Sequence, residues 1–192
     1  MANQTWQEAL DRLKSGNDRF VSDKVDGKLQ NSSRRSELTS GQQPYAIILS
    51  CADSRVVPEL AFDTGLGELF VIRVAGNVAS KSAVASIEYA VAHLGTNLIL
   101  VLGHESCGAV TAAVKGGDNG PNLNHLLQFI DPALESSAGD SIDNIVKKNA
   151  ILTSKSMVKK SSIIQSALDK GGLKILASYY NMESGKVDFG IV

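Results

Sequence analysis

Hydrophobic positions along the 192 residues change their spacing several times. The chain opens with helical spacing: Trp6, Leu10, Leu13, Asn17 and Phe20 follow Thr5, and Glu8, three residues after Thr5, completes a capping-box pattern. A polar stretch from 22 to 36 comes next, and SSRRSEL at its end fits a short helix. Beyond it, short apolar runs alternate with amphipathic segments. YAIILS (45–50), LFVIRVA (69–75) and NLILVLG (97–103) read as buried strands, and SAVASIEYAVAHLG (82–95) as a helix stopped by Gly95. Helices are expected over 107–115, 122–136 and 141–170, the last broken near Ser154 to Ser156. LKILASYYNM and KVDFGIV, joined through ESG, read as a hairpin at a sheet edge. Strands that are apolar without alternation, set between helices, predict an α/β fold. The expected architecture is a mainly parallel β-sheet flanked by helices, with an antiparallel C-terminal edge hairpin and an N-terminal helical arm. One domain over 1–192 is expected, with 1–40 as the arm and 41–192 as the core.

Composition narrows the class. Hydrophobic residues make up 43% and charged residues 20%, an ordinary balance for a globular chain able to bury a core without staples. The net charge is −1 with Lys and Arg scattered, so nucleic acid and anionic membrane are not expected partners. No apolar run approaches the ~20 residues of a membrane span. The first twenty residues carry neither the basic nor the apolar region of a signal peptide, so a cytoplasmic address is expected, with export the alternative if a leader was removed.

The chain's two cysteines raise the chemical question. Cys51 ends the first strand, in ILSCADSRVVPE, with Asp53 and Arg55 close behind; Cys107 lies just past the third strand, in LVLGHESCGAV, three residues after His104. Open parallel sheets gather functional groups at the C-terminal ends of their strands. If these two strands are neighbours, Cys51, His104 and Cys107 converge. Two thiolates and an imidazole suit zinc, and three protein ligands leave a fourth position open, as in catalytic rather than structural sites. Taken singly the signals are weak, since a lone buried cysteine is more often a small hydrophobe. Both cysteines at strand ends beside polar side chains make a stronger case. A disulfide between them is not needed in a domain of this size. His93 and His125 lie on helices without ligand partners nearby and read as packing or surface residues. GLGE and KGGDNG lack the strand–glycines–helix setting of a phosphate loop.

CADSR (51–55), followed by EYAVAHLGTNLILVLGHESCGAV (88–110), resembles the signatures of the β-class carbonic anhydrases of the plant-like, non-bicarbonate-regulated type, and the similarity runs over nearly the whole chain. The resemblance implies a zinc lyase that hydrates carbon dioxide reversibly to bicarbonate and a proton. It implies one Zn2+ per chain on Cys51, His104 and Cys107, with Asp53 and Arg55 as a catalytic pair and Asp53 a fourth ligand only in a closed form. Gln42, nine residues before Cys51, with Phe70 and Tyr89, would line a narrow apolar substrate pocket, part of it supplied across a homodimer or dimer of dimers whose N-terminal helices embrace the partner. Ile48 and Ser50 stand where bicarbonate-regulated members carry tryptophan and glycine, so no noncatalytic bicarbonate site is implied. Two rivals remain at this point: hydrolysis of carbonyl sulfide or carbon disulfide on a similar scaffold, and a non-catalytic zinc-stabilised oligomer with Asp53 as a permanent ligand. Arg55 argues against the second, because a closed structural site has no use for it.

Overall fold

Two runs of aliphatic residues buried on both faces form the middle of the sheet, and everything else is arranged around them. The computed structural model describes residues 4–137 and 139–192. In chain order the elements are α1 (Trp6–Val21), α2 (Ser32–Glu37), β1 (Ala46–Ser50), α3 (Pro58–Ala61), β2 (Leu69–Arg73), α4 (Lys81–His93), β3 (Leu98–His104), α5 (Gly108–Lys115), α6 (Pro121–Leu127), α7 (Asp131–Glu135), α8 (Ile142–Lys160), α9 (Ser162–Asp169), β4 (Lys174–Tyr180) and β5 (Val187–Phe189). The strands lie in the order β2-β1-β3-β4-β5. All neighbours run parallel except β4 and β5, which form the expected antiparallel edge. β1 therefore sits directly beside β3, with Ser50 in register with Leu102.

The sheet is covered on both faces. Ile47, Leu49, Ile99 and Val101 point to a layer that includes Val84 and Ile87 of α4, Ala150 and Met157 of α8 and Ile164 of α9. Ile48, Leu98, Leu100 and Leu102 point the other way, against Ala9 and Leu13 of α1 and Phe62 just after α3. α1 begins with the predicted capping box: the Thr5 backbone N–H donates to Glu8 Oε2 at 2.7 Å, and the Glu8 N–H donates to Thr5 Oγ1 at 3.3 Å. The helix docks onto the sheet of its own chain. Asn17 is buried there and ties three segments together, its Nδ2 donating to the carbonyls of Ala61 and Gly185 at 3.0 and 2.9 Å and its Oδ1 accepting from the Val187 N–H at 2.9 Å. α4 ends as expected at Gly95 (φ +67), with the Thr96 N–H closing back onto the Ala90 carbonyl.

Two helix boundaries differ from expectation. The segment 122–136 is split into α6 and α7, because Pro132 has no N–H to continue the ladder and opens a new helix instead. The break expected near Ser154 to Ser156 falls at Ser161. Ser154 stays helical by donating its hydroxyl to the Ile151 carbonyl at 2.7 Å, whereas Ser161 adopts an extended conformation and caps α9 by accepting the Ile164 N–H at 3.1 Å. Among the described residues, no helix is long and apolar enough to cross a membrane.

Asn17→Ala should strand two carbonyls and one N–H in the interior, and a loss of about 2–4 kcal/mol is expected from urea unfolding. A variant within about 0.5 kcal/mol of the parent would show that these three bonds do not hold α1 in place.

Candidate metal centre

The strand order turns in opposite directions from β1 to β2 and from β3 to β4, so a crevice opens between β1 and β3 at their C-terminal ends. Cys51 is the first residue past β1, His104 the last of β3, and Cys107 the residue on which α5 begins. All three are buried, and their ligand atoms lie within 4.8 Å of one another. The surrounding wall is apolar, with Val78, Val110, Ile130, Ile145 and Val146 in the same cluster.

The state of His104 tests whether a metal fits. Its Nδ1 lies 2.9 Å from the Glu105 carbonyl, which can only accept, so Nδ1 carries the proton. Nε2 then presents a lone pair, and it is buried without a hydrogen-bond partner. An imidazole oriented by its own neighbour's carbonyl, with the other nitrogen aimed at two sulfurs, is the arrangement a metal-ligating histidine adopts. The two cysteines act on one another in opposite senses. The Cys107 hydrogen bond, above all, pulls the Cys51 thiol down, and the same bond together with burial pushes the Cys107 thiol up. A divalent cation held by Cys51, His104 and Cys107 would satisfy all three atoms, with both cysteines as thiolates.

The mouth of the site carries the charged pair. Arg55 grips Asp53 with two prongs, Nε to Oδ1 at 2.9 Å and Nη2 to Oδ2 at 2.8 Å, and the Arg55 backbone N–H adds a bond to Oδ1 at 3.0 Å. The side-chain fork, above all, holds the Asp53 carboxyl well below the usual carboxylate range. Asp53 is thus ionised and turned onto Arg55.

Several supporting residues went unrecognised in the sequence. Arg73, at the end of β2, donates to the carbonyls of Cys51 at 3.0 Å and Asp53 at 2.6 Å and fixes the backbone of the whole CADSR turn. Its signal was a lone charge inside the apolar run LFVIRVA. Glu105 Oε2 accepts from Asn181 Nδ2 at 3.0 Å and from the Met182 N–H at 2.9 Å, pinning the peptide that orients His104. The Ser106 N–H, in a left-handed turn, reaches Asp143 Oδ1 at 3.3 Å. Gly76 donates its N–H to Cys51 Sγ at 3.4 Å.

The three pocket residues lie elsewhere in the chain. Gln42 is exposed and precedes β1, at the end of that strand opposite Cys51. Phe70 pairs with Ile47, four residues short of Cys51, so it sits roughly 13 Å back along the sheet at ~3.3 Å per residue. Tyr89 is 48% exposed on α4, its ring centroid 6.3 Å from that of Phe70. His93 is exposed against Tyr89, and His125 packs edge-on to Phe129.

A buried Cys2His group at the switch point of a mainly parallel α/β sheet is a ligand set suited to zinc. Residues 46–187 match the family described as carbonic anhydrase. Carbonic anhydrase 2 of Mycobacterium tuberculosis is 36% identical over 193 residues, covering 97% of this chain and 93% of that protein. The Coccomyxa β-carbonic anhydrase in complex with acetazolamide superposes with a TM-score of 0.75 at 28% identity, over 93% of this chain and 85% of that one. One of two tetrameric β-carbonic anhydrases from Sordaria macrospora gives 0.75 at 24% identity, over 91% and 93% of the two chains, a likeness of fold. The chain belongs to the carbonic anhydrase family, in its β class. It is a zinc enzyme, and Cys51, His104 and Cys107 are the group able to hold the ion.

Cys51→Ser, His104→Ala and Cys107→Ser should each purify with zinc lost, by elemental analysis, and with turnover lost alongside. A variant keeping a full equivalent of metal and a near-normal rate would remove that residue from the centre.

Proposed function

We propose that the chain hydrates carbon dioxide reversibly to bicarbonate and a proton, with Asp53 and Arg55 as a working pair and with the pocket completed by a second copy. The observation that carries the reading is the two-pronged Asp53–Arg55 bond beside a buried, unpartnered His104 Nε2: three protein ligands are present and the nearby fourth candidate is held away. When bound there, zinc lowers the pKa of a coordinated water so that hydroxide is available to attack an electrophilic carbon. The chain's residues do the rest. Cys51, His104 and Cys107 bind and orient the ion, and the apolar wall around them excludes bulk water. Asp53, being ionised, is an acceptor only, and it orients the nucleophile by taking a hydrogen bond at a carboxylate oxygen. Arg55 keeps the carboxylate from occupying the open position.

A second copy is supported by the edge of the sheet. β2 is an edge strand whose residues Leu69 to Ile72 are all only partly buried, and such an apolar edge is ordinarily covered. Phe70 and Tyr89 lie at that edge, far from their own chain's cysteines. A partner docked there would receive them at its own centre and complete a narrow apolar slot with Gln42 as an amide donor. Carbon dioxide, small and uncharged, suits such a slot better than a charged substrate would. The tetrameric Sordaria proteins favour an oligomer, and a dimer or a dimer of dimers satisfies the geometry.

The reading is tested by stopped-flow hydration of carbon dioxide, with zinc measured on the same sample and carbonyl sulfide run alongside. Turnover of carbon dioxide well above that of carbonyl sulfide is expected; full zinc with no hydration at any pH would leave the structural reading. Two thiolates cancel the charge of the ion, so its nucleophile forms less readily than on three neutral histidines, and the rate should climb from about pH 7 into the alkaline range. Asp53 titrates far below that window, so it cannot be the source of the rise. A flat profile would contradict the assignment. Arg55→Ala should keep the metal and abolish turnover, and Arg55→Lys should rescue poorly because a point charge lacks the planar fork. Near-normal rates in the alanine variant would show that Asp53 needs no latch.

A further inference from the structure

Asn149 is a polar side chain in the middle of α8, 1% exposed, on a helix whose other buried positions are mostly aliphatic. Its Nδ2 donates to the Gly76 carbonyl at 2.8 Å, across 73 residues of sequence. Gly76 in turn donates its own N–H to Cys51 Sγ at 3.4 Å. Gly76 has φ +68, and a Cβ built on it would approach Ile130 Cδ1 to 3.0 Å, so no other residue fits there comfortably. Glycine holds its own conformation least well of all residues. What fixes it is external: the Asn77 N–H closes a turn onto the Val74 carbonyl at 2.8 Å, and Asn149 anchors the carbonyl between them.

We propose that Asn149 is a positioning residue for the metal centre, acting through Gly76 to hold the N–H that bonds the Cys51 sulfur. The inference rests on the zinc reading of Cys51. An N–H bonded to a ligating thiolate draws negative charge off the sulfur, which leaves the ion a stronger Lewis acid and fixes the sulfur's direction. A residue that merely satisfied a buried carbonyl would influence stability alone. Asn149 influences the electronic state of a ligand it does not touch. Partners of this kind typically change metal affinity 10–100-fold when removed.

Asn149→Ala removes the donor; Asn149→Leu removes it while keeping side-chain bulk. In each, zinc affinity is measured by competition with a chromogenic chelator. The sulfur-to-metal charge-transfer band is recorded after cobalt replaces zinc, and circular dichroism establishes that the variant is folded. Affinity should fall about tenfold or more, and the band should move to longer wavelength because an unbonded thiolate gives up charge more easily. If Asn149→Leu does not fold, Asn149→Ala decides alone. A folded Asn149→Ala protein with zinc affinity within twofold of the parent and an unmoved band would overturn the proposal. Loss of turnover in the parent itself, with affinity and band behaving as expected in the variants, would sink the catalytic reading and leave this one standing.

Discussion

The hydrogen bond between His104 Nδ1 and the Glu105 carbonyl is the constraint from which the rest of the site follows. It fixes the tautomer, and by doing so it leaves Nε2 as a bare lone pair in a dry, apolar pocket. The sulfurs of Cys51 and Cys107 lie within 4.8 Å of the ring's ligand atom. One cation bound there would satisfy all three atoms at once. Glu105 is in turn held by Asn181 and Met182 just past the end of β4, so the imidazole's direction is set with help from the neighbouring strand.

The same logic explains why the charged groups stay at the mouth. Asp53 is two residues from a cysteine ligand and could reach the ion; Arg55 takes both of its oxygens instead. Arg73 fastens the turn between them through backbone carbonyls, so the position of Asp53 is fixed from both ends. On the proposed reading, what separates a catalytic centre from a structural one is a competition for one carboxylate, which the planar fork of arginine holds.

Much of this was legible in the sequence because the relevant signals were local. Apolar runs ending at Cys51 and His104 marked the central strands, and the capping box at Thr5 marked the first helix. The adjacency of β1 and β3 was conditional in the sequence and is a fact of the sheet. The break at Ser161 was misplaced because three serines near it look alike, and only packing decides which one back-bonds within the helix and which one caps. Asn149 and Asp143 were invisible as parts of the site, since each acts on a segment tens of residues away, and Arg73 showed only as a lone charge in an apolar run, with nothing to link it to Cys51. Phe70 and Tyr89 were named through resemblance, and their place at the β2 edge explains why no periodicity within one chain could have joined them to Cys51.

The central claim is that three protein ligands hold the ion while Asp53 stays with Arg55. A crystal structure of the zinc-loaded protein at alkaline pH tests it most directly. The account predicts Cys51, His104 and Cys107 on the ion, an exchangeable fourth position, and the Asp53 carboxylate still in two-pronged contact with Arg55. An Asp53 oxygen on the metal, with Arg55 swung free, would contradict it.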